Sequence, residues 1–305
     1  MTKHIERIWA PSPSGILVQT GRVTEVSTKS RKDYLEIRTR ARQIEELYSE
    51  AGISIPSNSS LGELIRCGKD LWENWMFHNA DGLTAEVLFS AIQLDRIADA
   101  LLPLSGDTQR ANQLKKLLSG TLNFFKRERS NAKNALWELE AWSKLRKRTT
   151  EVYLVEPPDI VVHFQGARIG IACKKVYSER HVQNVLSEAV QQIQNDFEFG
   201  IVAVNIDDLL PGDKVLKLGT SKAVYDRLGL YNTQFLQRHD RHFRKYLSRG
   251  QLISAIVSSS VISDIETERP RFNNAYQWTI WTVPGLPAAH QLQLDRFYEV
   301  ITKDI

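Results

Sequence analysis

A change in the spacing of apolar residues near position 150 constrains the fold of this chain most. Residues 131–148 predict a strong helix, with a buried face formed by Ala135, Leu136, Leu139, Trp142 and Leu145. Three short strand-like runs follow, at 152–155, 160–164 and 169–176. Helical spacing returns over 179–197, and the near-continuous apolar run 199–206 suits a strand buried on both faces. This order of elements predicts an α/β domain with a mixed sheet.

The first 130 residues have a different pattern. They predict one short strand within 16–26 and helices over 28–52, 61–77, 84–104 and 109–128. Beyond the α/β core, a helix near 221–248 and strands near 252–262 and 275–283 are predicted. A chain of 305 residues has room for two domains. We therefore expect a mainly helical accessory or recognition domain over 1–130 and an α/β domain over 131–305.

Composition excludes several classes of protein. No run of about 18 apolar residues occurs, so no membrane span is expected. Only Cys67 and Cys173 are present, which argues against a disulfide framework and against a cysteine zinc site. The N-terminal residues lack the apolar core of a secretory signal, so we expect the chain in the cytoplasm. A net charge of +4 permits a polyanionic partner without demanding one.

The most informative segment is a predicted hairpin between the runs 160–164 and 169–176. With Gln165-Gly166 as a two-residue turn, paired residue numbers sum to 331 and Asp159 lies opposite Ala172. Strand alternation then places Ala172 and Lys174 on the face of Asp159. The other face would carry Ile169, Ile171 and Cys173. A three-residue loop would break this register.

Pro158-Asp159, followed by the segment 169–174, resembles the motif of the PD-(D/E)XK nuclease superfamily, which has a restriction-endonuclease-like fold. The resemblance covers about residues 131–206, and it departs from the family pattern at one place, because Ala172 stands at the acidic position. Glu138 matches the glutamate of the family's preceding helix. Gln192 matches a glutamine that some branches carry in the following helix. The resemblance implies a mixed sheet flanked by helices.

The resemblance also implies an activity, which is hydrolysis of DNA phosphodiester bonds with Mg²⁺ or Mn²⁺; RNA is not excluded as substrate. Asp159 would be the bridging metal ligand, and Glu138 an outer or additional one. Lys174 would orient the attacking water or stabilise the transition state. The family context implies a bacterial restriction or phage-defence effector, acting as a homodimer or with a partner protein.

Ala172 cannot bind a metal ion, and two interpretations of it stay open. The chain is either an inactive variant in which alanine replaces the motif glutamate, or a naturally degenerate member that only binds nucleic acid or acts as a scaffold. A third hypothesis is an unrelated α/β interaction protein. Each site residue also has a plain structural interpretation, since Asp159 can cap a turn and Glu138 can form a surface ion pair.

A second candidate surface is cationic. The segment 238–249 carries Arg238, Arg241, Lys245 and Arg249 at spacings of three and four, which predicts one cationic helical face. Such a face can hold phosphates along a groove. A solvated helix face is the alternative interpretation.

Overall fold

The structure is a computed structural model, and it describes residues 2–11, 17–26, 34–78, 84–149, 151–164, 166–210, 215–268 and 272–302. Its helices are α1 (Tyr34–Glu50), α2 (Ser60–His78), α3 (Ala85–Leu101), α4 (Arg110–Leu117), α5 (Asn131–Arg146), α6 (Val182–Gln194), α7 (Ser221–Arg238), α8 (Asp240–Leu247) and α9 (Ala288–Thr302). Its strands are β1 (Thr2–Pro11), β2 (Leu17–Val26), β3 (Val152–Leu154), β4 (Ile160–Phe164), β5 (Ala167–Lys175), β6 (Phe199–Asn205), β7 (Val215–Leu218), β8 (Ser254–Ile265) and β9 (Phe272–Trp281).

All the strands belong to one mixed sheet. Eight of them follow the order β1-β2-β9-β8-β6-β5-β4-β3, and β7 pairs with β8 beside this path. The central pairs β5–β6 and β6–β8 are parallel, whereas the pairs towards either end of the order are antiparallel. The predicted α/β class with a mixed sheet is confirmed.

Helices cover both faces of the central strands. One face packs against α5 and the helices before it, through alternate strand residues such as Ile171, Ile201 and Ile256. The opposite face packs against α6, α7 and α8, through intervening residues such as Val202 and Val257. Central parallel strands buried in this way are rich in β-branched residues on both faces, as the run 199–206 predicts.

The sheet and its core both cross the domain boundary predicted at residue 130. The hairpin of β1 and β2 joins the sheet through β9, so the first residues of the chain extend the α/β sheet. One apolar cluster runs from Ile44 and Leu94 in the N-terminal helices to Leu136 and Ile171. The helices α1 to α4 therefore share a core with the strands that follow them.

Three predicted elements differ in extent. The helix predicted over 109–128 ends at Leu117, and Gly120, with a φ of 121°, prevents it from resuming directly afterwards. The helix predicted over 221–248 is divided at His239 into α7 and α8. Strand β2 lies within the region 16–26 where one strand was predicted, and β1, over Thr2–Pro11, was not predicted.

Within the described ranges, no helix is both long enough and apolar enough to cross a membrane.

Candidate active site

Strand β5 is longer than its partner β4, and this difference opens one edge of the sheet. The two strands pair from Phe164↔Ala167 to Ile160↔Ile171, in the predicted register. Two residues connect them; Gly166 has the expected positive φ, at 86°, and Gln165 lies outside the described residues. Residues 172–175 of β5 extend beyond the last β4 pair, while their other edge still pairs with β6. The end of β5 therefore leaves backbone groups available to side chains.

Asp159 occupies this open edge. Its Oδ2 accepts a 2.6 Å hydrogen bond from the backbone N–H of Cys173. Asp159 lies in the bend before β4, with a φ of 155°, which is unusual for a residue other than glycine. Strand alternation therefore does not extend to Asp159, and its carboxylate caps the exposed edge of β5.

A second carboxylate reaches the same place from α5. Burial, with the nearby Asp159 charge, raises the pKa of Glu138 to about 8. Burial likewise raises the pKa of Asp159 to about 6, although the Cys173 N–H and the Lys174 charge oppose the rise. Two desolvated carboxyl groups that repel each other gain most from an added cation.

Two lysines border this carboxylate pair. The ammonium of Lys116, on α4, lies 2.9 Å from Glu156 Oε2 and 3.9 Å from Glu138 Oε2. Lys174 attracts both Glu138 and Asp159, but no ion pair or hydrogen bond of its ammonium is present among the described residues. Lys174 is therefore available to an anion that enters the site.

The site opens into a cleft of about 600 Å³ between the N-terminal half of α5, the end of β5 and α6. A cleft of this size, with convergent polar groups, is typical of ligand sites. Its lining residues are Ser119, Gly120, Arg129, Ser130, Asn131, Asn134, Glu138, Cys173, Lys174, Lys175, Tyr177, Val185 and Glu188.

The structure brings together Asp159, Glu138 and Lys174, but it does not place Ala172 with them. Ala172 is fully buried in the apolar layer beneath α6 and does not line the cleft. The predicted register is correct; the departure lies in Asp159, which turns towards Cys173 instead of remaining on the face of Ala172. The side chain beside both carboxyl groups is that of Cys173, whose pKa is raised well above its usual value by burial and by Asp159 and Glu138.

Gln192 is also outside the cleft lining. It lies on α6, half-buried, and its Oε1 has no hydrogen-bond partner in the described part of the chain. The resemblance gave it a place at the site, and no hydrogen bond joins it to Asp159, Glu138 or Lys174 among the described residues.

The four predicted cationic residues do not form one helical face, because the helix is divided at His239. Arg238, at the end of α7, is held by Glu179 through two hydrogen bonds of 3.1 and 2.6 Å. Arg241 and Lys245 are exposed one turn apart on α8, and Arg249 is exposed after that helix ends. The exposed cationic surface is thus formed by Arg241, Lys245 and Arg249.

A second group of buried charges lies on another side of α5. Arg96 of α3 contacts Glu140 at 2.5 Å and Asp207 at 3.0 Å. Lys175 contacts Asp208 at 2.8 Å and Asn205 at 2.6 Å. Lys133 contacts the same Asp208 at 3.3 Å. We call this group the closed ion network; its members are Arg96, Lys133, Glu140, Lys175, Asn205, Asp207 and Asp208.

Sequence reasoning missed Lys116, Asn134 and Tyr177. Asn134 precedes Glu138 by one helical turn, so the spacing alone was a usable signal for it. Lys116 belongs to the N-terminal helices, and nothing in the sequence indicates that α4 packs against α5 beside Glu138. Within the described residues, no group of three or more His, Cys, Asp or Glu side chains is arranged to hold a metal ion.

Comparison with known proteins gives no relative: no family model, no curated protein and no solved structure matches this chain.

Proposed function

We propose that the chain is a metal-dependent nuclease that hydrolyses phosphodiester bonds in DNA. The observation that carries the proposal is the pair of neighbouring, largely buried carboxyl groups of Asp159 and Glu138, of which Glu138 lines the open cleft together with Lys174. Structural carboxylates are normally balanced by cations, whereas burial and repulsion raise the pKa of both groups here. A role in bacterial restriction or phage defence belongs to the proposal on the strength of the resemblance alone.

The donor set suits Mg²⁺ or Mn²⁺. Mg²⁺ takes oxygen ligands and is usually held by one or two carboxylates, with water and substrate phosphate completing its shell. Asp159 and Glu138 would hold the ion, which would supply charge neutralisation and an activated water when bound. Asp159 is already oriented by the Cys173 N–H, which accounts for one of its oxygen atoms and leaves the other free.

Lys174 has a separate role in this proposal. Its ammonium has no ion pair among the described residues and lies near both carboxyl groups. A fixed positive charge beside a reacting phosphate stabilises the negative charge that develops in the transition state. Lys175 is not equivalent, because its ammonium is already paired with Asp208 and hydrogen-bonded to Asn205.

A cleavage assay tests the proposal. Supercoiled plasmid and a matched RNA are incubated with the chain in Mg²⁺, in Mn²⁺ and in EDTA. Alanine at the motif position predicted an inactive chain, but Ala172 lies beneath α6 and does not line the cleft, so we now expect the chain as written to cleave with a metal ion. Asp159→Asn should abolish this cleavage, and Lys174→Met should lower it by at least a hundredfold. The matched controls are Asp196→Asn and Lys222→Met, which alter exposed residues outside the cleft and should cut normally.

A second candidate function is nucleic-acid binding without catalysis. It is favoured by Cys173, which occupies the position beside Asp159 and Glu138 where a third carboxylate would point. Under this alternative, the folded chain binds DNA in EDTA and no metal ion produces cleavage. That outcome would replace the nuclease proposal with the binding one.

A further inference from the structure

The cleft continues past the carboxyl pair towards the start of α5, and the proposed reaction assigns nothing to that part. Asn131, Asn134 and Glu138 lie at helical spacing and all line the cleft, so α5 presents a polar stripe to it. Most other residues of α5 are buried in the core. A polar stripe on an otherwise buried helix needs a polar ligand or water opposite it.

Tyr177 fixes the orientation of Asn134. Its hydroxyl donates to Asn134 Oδ1 at 2.9 Å and lies within hydrogen-bond distance of both the backbone carbonyl and the N–H of Ser130. Because the amide oxygen of Asn134 accepts from Tyr177, the NH₂ group is the part of the amide that can bind a ligand in the cleft. Among the described residues that NH₂ group has no acceptor, so it presents two donors in a fixed direction.

Arg129 adds a positive charge at the same end of the cleft. It is exposed, it lines the cleft, and its charge lowers the pKa of Tyr177 although burial raises that pKa overall. No ion pair of its guanidinium is present within the described residues. A guanidinium and oriented amide donors form the combination that recognises phosphate oxygens.

We infer that Arg129 and Asn134 form a phosphate subsite, and that a nucleic-acid strand runs along α5 from Glu138 towards the helix start. The inference rests on the proposed function. One helical turn from Glu138 to Asn134 advances about 6 Å along α5. Successive phosphates of a strand advance about 3.4 Å along the duplex axis. The step along α5 therefore suits a phosphate one or two positions from the one beside Lys174, and Tyr177 is a positioning residue for Asn134.

Binding of a fluorescent single-stranded 12-mer to the whole chain in EDTA tests this subsite without catalysis. Asn134→Asp keeps the shape of the side chain but replaces donors with a charge that repels phosphate, so we expect affinity to fall at least tenfold. Arg129→Gln should lower affinity about fivefold and reduce the slope of log K against log salt concentration by about 1. Tyr177→Phe should lower affinity by a smaller factor, since it only frees the amide to rotate.

Matched controls separate local contacts from net charge. Asn195→Asp and Arg227→Gln make the same charge changes at exposed positions outside the cleft, and they should bind almost normally. DNA and RNA 12-mers are compared, and inorganic phosphate and a mononucleotide are added as competitors. Displacement by millimolar phosphate alone would assign the subsite to a free phosphate and overturn the strand path.

The subsite and the nuclease proposal fail in different ways. If Asn134→Asp and Arg129→Gln bind the 12-mer like the unmodified chain, the subsite is wrong even where metal-dependent cleavage is observed. If both variants lose binding while no metal ion produces cleavage, the subsite stands and the chain is a binding protein.

Discussion

Two groups of buried charge border α5, and only one of them is balanced. The closed ion network joins Arg96, Lys133 and Lys175 to Glu140, Asp207 and Asp208, and each carboxylate has a cation within 3.3 Å. At the cleft, the Lys116 ammonium lies 3.9 Å from Glu138, and the charges of Lys116 and Lys174 act on Asp159 without an ion pair to it among the described residues. Glu138 and Glu140 are two residues apart on one helix, which directs them to nearly opposite sides.

The contrast shows in the pKa values of the carboxyl groups. Burial alone would raise the pKa of Asp207, but the charges of Lys175 and Arg96 outweigh it and the pKa is lowered. Burial raises the pKa of Glu138 to about 8, and Asp159 adds to the rise. Equal burial therefore has opposite consequences, depending on whether the fold supplies a cation. We interpret the closed ion network as structural and the carboxyl pair of Glu138 and Asp159 as a site for a cationic ligand.

The largest effect should come from opening the closed ion network. Arg96→Met leaves Glu140 and Asp207 buried without their shared cation, so we expect a loss of about 3–5 kcal/mol in the free energy of unfolding. Urea denaturation measures it, with Arg227→Met as the exposed control. A loss below about 1 kcal/mol would mean that the network does not hold α3 to α5.

The next effect separates the two faces of β5. Ala172→Glu places a carboxylate in the apolar layer beneath α6, which should cost about 3 kcal/mol or more. Cys173→Asp places one beside Asp159 and Glu138, where Mg²⁺ should restore part of the lost stability. Thermal unfolding in EDTA and in Mg²⁺ distinguishes the positions. Should Ala172→Glu fold normally and cleave DNA with Mg²⁺ much faster than the unmodified chain, the sequence-based placement of position 172 would be right after all.

Position 172 illustrates how far the sequence alone could lead. Hydrophobic spacing predicts α5, β4 to β6 and the hairpin register, because these elements are strongly periodic and Gly166 defines the turn. The same reasoning extends strand alternation to Asp159, one residue too far. The bend before β4 is a local backbone feature, and no spacing rule contains it.

Long-range packing accounts for the other differences. The pairing of β2 with β9 joins residues some 250 positions apart, and neither segment signals the other. In the sequence, Arg96 and Lys116 have the spacing of ordinary cations on a helix surface. Tertiary packing places Arg96 in the closed ion network and Lys116 beside the cleft. Local periodicity identifies elements, whereas the partners of a charged side chain depend on how those elements assemble.

An effect of opposite sign is expected in the cleft. Glu138→Gln keeps the shape of the side chain and removes a charge that the fold disfavours, so it should stabilise the chain by about 3–4 kcal/mol at pH 8. The folded pKa of about 8 exceeds the ordinary value of 4.5, so the native state binds more protons between these values. Stability of the unmodified chain therefore falls as pH rises from about 4.5 to 8, and this slope should flatten in Glu138→Gln. The exposed control Glu151→Gln should keep the slope.

The smallest effect we expect is stabilisation by a divalent cation, and it tests directly whether the unbalanced group is a ligand site. At pH 8, Mg²⁺ or Mn²⁺ at ten times its dissociation constant should raise the free energy of unfolding by about 1.4 kcal/mol. The increase should shrink towards pH 5, because Glu138 and Asp159, with pKa values of about 8 and 6, are then protonated and no longer attract the ion. Unfolding at matched ionic strength, with NaCl as control, separates specific binding from screening. An Asp159→Asn, Glu138→Gln double variant should lose the increase entirely; if it keeps the full effect, the ion binds elsewhere and the cleft is not a metal site.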